Sequence, residues 1–255
     1  MPDDAVPQGA CFVLDSTTQV QLEHVTKVFV NEEHTMTVVC SPDHLPELVL
    51  GRLFSEGIID GAQEVDQVRV CEDGTQVRVT LSETQQIDLV PQQVENVPTT
   101  GAGSRVFRNS LHREKELPQL TPIPWDPQWV FDLSALLTRD TPMHKVTFGV
   151  HSCFLSHEGE VLYCCEDLGR HNAFDKVIGC ALRDGVDLTQ CVVFSSGRLP
   201  VDMVTKAIRA RIPVLATKAV PTNRTIRLAR QHNLTLICSA HPDKMVVMCD
   251  PANPL

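Results

Sequence analysis

The sequence predicts an α/β protein, α+β overall, in which a β-rich amino-terminal portion precedes an α/β/α carboxy-terminal domain. Three observations predict it. After Val161, strand-like apolar runs alternate with helically periodic ones, which implies a largely parallel sheet with helices on both faces. Before residue 90, short alternating runs joined by turn residues mark hairpins, with one helix among them. Between these regions periodicity disappears and prolines accumulate, so the chain divides into residues 1–90, a Pro/Gly-rich linker or long loop over 91–129, and the α/β/α domain over 130–255.

In order, residues 1–19 lack a sustained period and read as a loose arm. From Val20 two alternating runs flank Asn31-Glu32-Glu33, a hairpin signal. Ser41-Pro42-Asp43 marks a helix start with Ser41 or Asp43 as cap, and Leu45, Leu48, Val49, Leu53 and Phe54 share one face of a helix ending near Gly57. Strands over 67–71 and 76–81 are joined by Glu72-Asp73-Gly74-Thr75. Strands over 146–156 and 161–166 flank a Glu158-Gly159 turn, which would pair His157 with Glu160 and Cys153 with Cys164. Beyond them come helix 171–183, strand 191–196, helix 200–210 opening on Pro200, strand 213–219, helix 222–232 capped by Thr222, strand 234–240 and an edge strand over 244–249.

Composition narrows the function. With 42% hydrophobic and 21% charged residues, the 255-residue chain can bury a substantial core. No apolar run approaches the roughly 18 residues that span a bilayer, and the opening MPDDAVPQGA lacks the basic and apolar regions of a secretory signal. The expected compartment is the cytoplasm, with no membrane partner. A net charge of −10 argues against nucleic acid as a partner but leaves room for a local anion pocket. The ten cysteines contain no C-x-x-C spacing, so they read as reduced, buried thiols rather than a zinc ribbon.

In parallel sheets ligands bind outside the carboxyl ends of the strands. The loops there are 166–172, 195–199, 218–223 and 239–243. Gly169 and Gly197 allow a phosphate near helix-start N–H groups, and Arg170, Arg198, Lys206, Lys218 and Arg224 could add charge-assisted bonds. Leu168-Gly169-Arg170-His171-Asn172 is the densest of these loops, and Asp175 could orient Arg170 or His171. By contrast, 195–198 and 220–222 taken alone read as ordinary turns. His151 and Cys153 read as structural strand residues, and the adjacent Cys164 and Cys165 point to opposite faces of their strand.

The run EDLGRHNAFDKVIG closely resembles the REDVGRHNAVDKxxG signature of the formate dehydrogenase accessory sulfurtransferase family, FdhD. Ser196-Gly197-Arg198 with Met203 and Lys206, Ile212-Pro213-Val214, Ala219-Val220-Pro221-Thr222, Phe148-Gly149-Val150-His151 and, earlier, Ser41-Pro42, Gly51-Arg52-Leu53 and Glu56-Gly57-Ile58-Ile59 resemble its other conserved runs. The resemblance implies a three-layer, cytidine-deaminase-like carboxy-terminal domain and a homodimer. It also implies transfer of sulfur from a cysteine desulfurase to a molybdenum or tungsten bis(molybdopterin guanine dinucleotide) cofactor, carried as cargo before insertion into formate dehydrogenase. Cofactor binding would then fall to Asp167, Gly169, Arg170, His171, Asn172, Asp175, Lys176, Ser196, Gly197, Arg198, Lys206, Pro221, Thr222 and the altered closing segment Ile237-Cys238-Ser239-Ala240-His241. Zinc is not expected, because the deaminase H-x-E and P-C-x-x-C motifs are absent.

One departure bears on the chemistry. The family's C-G-x-C pair corresponds here to Thr100-Gly101-Ala102-Gly103, and neither Thr100 nor Gly103 can carry sulfane sulfur. The catalytic thiol is therefore unassigned, with Cys153, Cys164, Cys165 and Cys238 as candidates nearest the expected site. Two readings follow: an accessory protein that still transfers sulfur through another cysteine, or a cofactor-binding chaperone or regulator that has lost the transfer. The second is favoured, because the anion contacts survive while the nucleophile does not.

Overall fold

The computed structural model describes residues 11–13, 19–82, 89–91, 107–109, 116–139 and 141–253. β1 (Cys11–Val13), inside the stretch read as a loose arm, pairs antiparallel with β2 (Gln19–Gln21), which begins at the arm's last residue. The expected hairpin forms from β3 (His24–Val30) and β4 (Glu33–Cys40). After α1 (Leu45–Ser55), β5 (Val65–Val70) and β6 (Gln76–Leu81) make a second hairpin. Parallel pairing of β3 with β6 joins the hairpins into a four-stranded sheet ordered β4-β3-β6-β5. Leu45, Leu48, Val49 and Leu53 of α1 close its core over Val28, Val30, Val77 and Val79.

Neither Ser41 nor Asp43 caps α1. His44 is the N-cap residue, at φ 52° and without a side-chain cap bond, because the Ser41 hydroxyl accepts from the Leu168 N–H and the Asp43 carboxylate from Lys176, both in the carboxy-terminal half. Next come β7 (Leu89–Pro91) and β8 (Phe107–Asn109), which pair with each other. The described end of the linker segment packs onto the carboxy-terminal sheet. Leu120 and Ile123 are buried there, and the Leu120 N–H donates to the His232 carbonyl at 3.0 Å.

In α2 (Pro127–Thr138), Asp126 caps the start by accepting from the Gln128 N–H, with proline in the first turn. Where a strand is expected from Val146, the chain instead forms the short helix α3 (Pro142–Thr147). The Glu166 carboxylate accepts the Met143 and His144 N–H groups at its start, at 2.7 and 2.9 Å. Phe148 ends α3 at φ 52°, so β9 (His151–His157) begins later than the apolar pattern suggests.

From there the expected alternation holds. β10 (Glu160–Asp167), α4 (Arg170–Arg183), β11 (Cys191–Ser195), α5 (Val201–Arg209), β12 (Val214–Thr217), α6 (Asn223–Gln231), β13 (Thr235–His241) and β14 (Lys244–Cys249) follow in turn. Pro200 precedes α5 as its N-cap residue, whereas Thr222 caps α6 in a reciprocal box with Thr225. The sheet is ordered β10-β9-β11-β12-β13-β14; β9 runs antiparallel to both neighbours, which leaves β10, β11, β12 and β13 mutually parallel. Alternating side chains feed two cores. Cys153, Leu155, Val193, Leu215 and Leu236 meet α4, α5 and α6, while Phe154, Val192, Phe194, Val214 and Ile237 meet α2.

The β9–β10 turn pairs His157 with Glu160 as expected. A bulge between Val161 and Tyr163 then shifts the register, so Cys153 faces Cys165 and not Cys164. One extra residue on a bulged strand moves every later partner by one.

Candidate functional site

The densest run of the sequence, from Glu166 to Lys176, separates in space into two groups. One faces the amino-terminal sheet. Helices α1 and α4 cross antiparallel with their backbones touching, since Glu47 meets Arg183 at one end and Ser55 meets Asp175 at the other. Glycine at the crossing is obligatory. A Cβ on Gly51 would fall 1.9 Å from the Asp175 carbonyl oxygen, and one on Gly179 1.8 Å from the Glu47 carbonyl oxygen.

Buried charges flank that crossing. Lys176 places its ammonium 2.9 Å from Asp167 and 3.0 Å from Asp43, and also donates to the Ser41 and Glu166 carbonyls. Asp167 in turn accepts from the Ser41 N–H at 2.9 Å, the Gly169 N–H at 2.8 Å and the Asn172 amide at 2.9 Å. The Asn172 amide also donates to the Val39 carbonyl at 2.8 Å. On the other side Asp175 takes Lys206 at 2.5 Å and the Ser55 hydroxyl at 2.7 Å, with Arg52 and Glu56 completing the cluster. Asp167, Asn172, Asp175, Lys176 and Lys206 are all nearly fully buried.

Environment sets their charge states. Burial works against the Lys176 ammonium, but Asp167 and Asp43 outweigh it and raise its pKa. Burial would likewise raise the Asp43 carboxyl, yet His44 and Lys176 take it down to about 2. Lys206 is pushed down by burial, against the pull of Asp175. Burial, and then Lys206, lower His171 to about 3, so its ring is neutral at physiological pH. Its Nε2 therefore donates to Asp202 at 2.9 Å, which leaves a buried Nδ1 acceptor without a partner among the described residues.

The second group lies at the carboxyl ends of the parallel strands. Gly197 packs against Arg170, whose Cβ would be 2.9 Å from a Cβ on that glycine. The Gly197 carbonyl accepts from the Thr217 hydroxyl at 2.7 Å, Thr217 accepts from the Ala219 N–H, and the Ala219 carbonyl accepts from the Ser239 N–H at 2.9 Å. The four loops thus form one linked rim. Arg198 and His241 are exposed on it, as is Thr222 at the start of α6, while Pro221 and Ser196 are half-buried. Ile237, Cys238 and Ala240 point into the cores, and Ser239 turns at φ 50°.

His151 joins this rim, although as a strand residue it reads as structural. Because β9 runs antiparallel between β10 and β11, its first residue lies beside their last ones, with His151 Nδ1 3.3 Å from the Ser196 hydroxyl. Burial lowers its pKa, and nearby Arg170, Lys218 and His144 lower it further. The rim is therefore locally basic on an acidic protein. Within it, Arg170 holds a buried Nε with no partner among the described residues.

The candidate thiols share none of this character. Burial pushes Cys153 and Cys165 well up, and Cys164 and Cys238 to about 12; for Cys165 a hydrogen bond with Cys180 is the larger cause. Thr100 and Gly103 lie outside the described residues.

Fold and site together define an α/β protein with two main sheets, a buried ionic seam between its halves and a basic rim at one end of the larger sheet. Residues 21–253 match the FdhD/NarQ family, and the chain belongs to it. It is 26% identical over 232 residues to "Sulfur carrier protein FdhD" of Listeria monocytogenes serotype 4b (strain F2365), covering 90% of this chain and 89% of that one. It is 30% identical over 225 residues to the protein of that name from Bacillus pumilus (strain SAFR-032), covering 87% and 84%. The crystal structure of a putative formate dehydrogenase accessory protein from Desulfotalea psychrophila superposes with a TM-score of 0.74 at 25% identity, over 93% of this chain and 91% of that one.

Proposed function

We propose that this protein is a formate dehydrogenase accessory factor that holds the molybdenum or tungsten bis(molybdopterin guanine dinucleotide) cofactor as cargo on the basic rim, in the cytoplasm. Its partners are formate dehydrogenase and a cysteine desulfurase, and it acts as a homodimer. The observation that carries this reading is Arg170: a guanidinium packed on Gly197, whose buried Nε has no partner among the described residues, beside Lys218 and His151. An anion brought there would receive charge-assisted bonds that water reaches poorly. Arg198, exposed on the neighbouring loop, is the natural second contact for a diphosphate. Asp167, Asn172, Asp175, Lys176 and Lys206 serve the cargo indirectly, by fixing the start of α4 and the loop before it.

Sulfur transfer is the part of the family's work that this chain supports least. A sulfur carrier attacks as thiolate, and burial suppresses ionisation of Cys153, Cys164 and Cys238. The favoured reading is therefore a cofactor-binding chaperone or regulator. Isothermal titration with guanosine diphosphate should show binding that weakens about tenfold or more in Arg170→Ala and in Arg198→Ala. Unchanged binding in both variants would overturn this placement of the site. After incubation with a cysteine desulfurase and free cysteine, mass spectrometry should find no persulfide on this chain; a persulfide on any one cysteine would restore the sulfur-carrier reading.

A further inference from the structure

A second group of donors sits beside the seam, away from the rim. Cys165 on β10 and Cys180 in the second half of α4 bring their sulfurs to 4.0 Å. His44, at the start of α1, adds a ring nitrogen, and the three donor atoms all lie within 4.8 Å of one another. Both cysteines are 3% exposed, while the His44 side chain is 45% exposed, so the cluster is closed on the protein side and open on one flank. Asp43 lies 3.0 Å from His44 Nδ1, which leaves Nε2 for another partner. A carboxylate on the second nitrogen is the usual support of a metal-binding imidazole. Asp43 is itself held by Lys176.

We propose that Cys165, Cys180 and His44 bind one zinc(II) ion, with water as the fourth ligand on the open flank. Zinc–sulfur bonds of about 2.3 Å in a tetrahedron separate two sulfurs by about 3.8 Å, so the thiols need only a small closure. Two thiolates and an imidazole suit zinc far better than calcium or magnesium, which take oxygen ligands. Binding displaces the two thiol protons to solvent and involves no change of oxidation state. The donors are distant in sequence, so no C-x-x-C spacing announces them. The ion would tie the segment leading into α1 to β10 and α4, adding a coordinate bond to each side of the seam.

The test uses the full chain, reduced and stripped by a chelator. Cobalt(II) should bind at one equivalent with a tetrahedral spectrum and thiolate charge-transfer bands, and zinc(II) should displace it. Competition with a chromophoric chelator should show zinc affinity falling more than about 100-fold in Cys165→Ser and Cys180→Ser, and about 10- to 100-fold in His44→Asn. Asparagine tolerates the left-handed backbone at position 44, and that side chain is partly exposed, so this variant reports on the site even where a buried serine prevents folding. Cys191→Ser should bind as the parent chain does. A spectrum without thiolate bands, or an affinity unchanged in His44→Asn, would overturn the assignment.

Discussion

Single residues carry the tightest constraints. Gly179 has no freedom at all: any Cβ meets the Glu47 carbonyl, which is helix backbone and cannot turn away. Gly179→Ala should destabilise the protein by about 3 kcal/mol or more, read as the shift of a urea midpoint. Gly185→Ala should cost only about 1 kcal/mol, from backbone strain alone, since that glycine sits at φ 70° with nothing among the described residues near an added Cβ. His171 predicts a pH dependence. Its native pKa lies below the unfolded value, so between about pH 6.5 and 3 the unfolded chain binds a proton that the native state refuses. Stability should therefore fall on acidification through that window, by at most about 1.4 kcal/mol per pH unit, and His171→Gln should flatten the slope. The sequence marked Asp175 as chemically important but not its role. Its place one turn into α4 suggests that it orients Arg170 or His171, whereas its partners are Lys206 and Ser55, the latter 120 positions away. A residue's own spacing cannot reveal partners brought in by two other helices, α5 and α1.

Elements were far more legible. From α4 to β14 the helices and strands fall within a residue or two of their sequence-derived bounds, because each carries a clean period and a turn at each end. The failures are local competitions. A carboxylate from β10 caps α3 and takes residues that would otherwise extend β9. A bulge in β10, invisible to a two-residue turn count, replaces Cys164 by Cys165 opposite Cys153. Where local chemistry acts alone, as at the start of α6, the sequence suffices. Thr222→Ala should cost about 1 kcal/mol by removing the acceptor of the Thr225 N–H, with the loss visible as earlier hydrogen exchange at the first turn of that helix.

At the scale of the molecule, the signature run does two jobs, and the larger part of it holds the halves together. Lys176→Met should cost about 3–5 kcal/mol, since Asp167 would keep a buried charge with its cation gone. Adding Asp167→Asn to that variant should recover part of the loss, a sign that the penalty lay in the orphaned charge. The edge of the rim was legible from topology alone, because parallel strands present their loops at one end. What the sequence could not place there was His151, which arrives only through the antiparallel insertion of β9.

The backbone contact of α1 with α4 has a consequence for how the protein comes apart. Phe54 and Leu182, on either side of that crossing, each pack against both the amino-terminal core and the core under α4. With the crossing helices shared between two sheets and no side-chain layer to act as a lubricant, neither sheet can melt while the other stands. A calorimeter should accordingly record a single endotherm whose van't Hoff and calorimetric enthalpies agree, the behaviour of one cooperative unit assembled from two sheets.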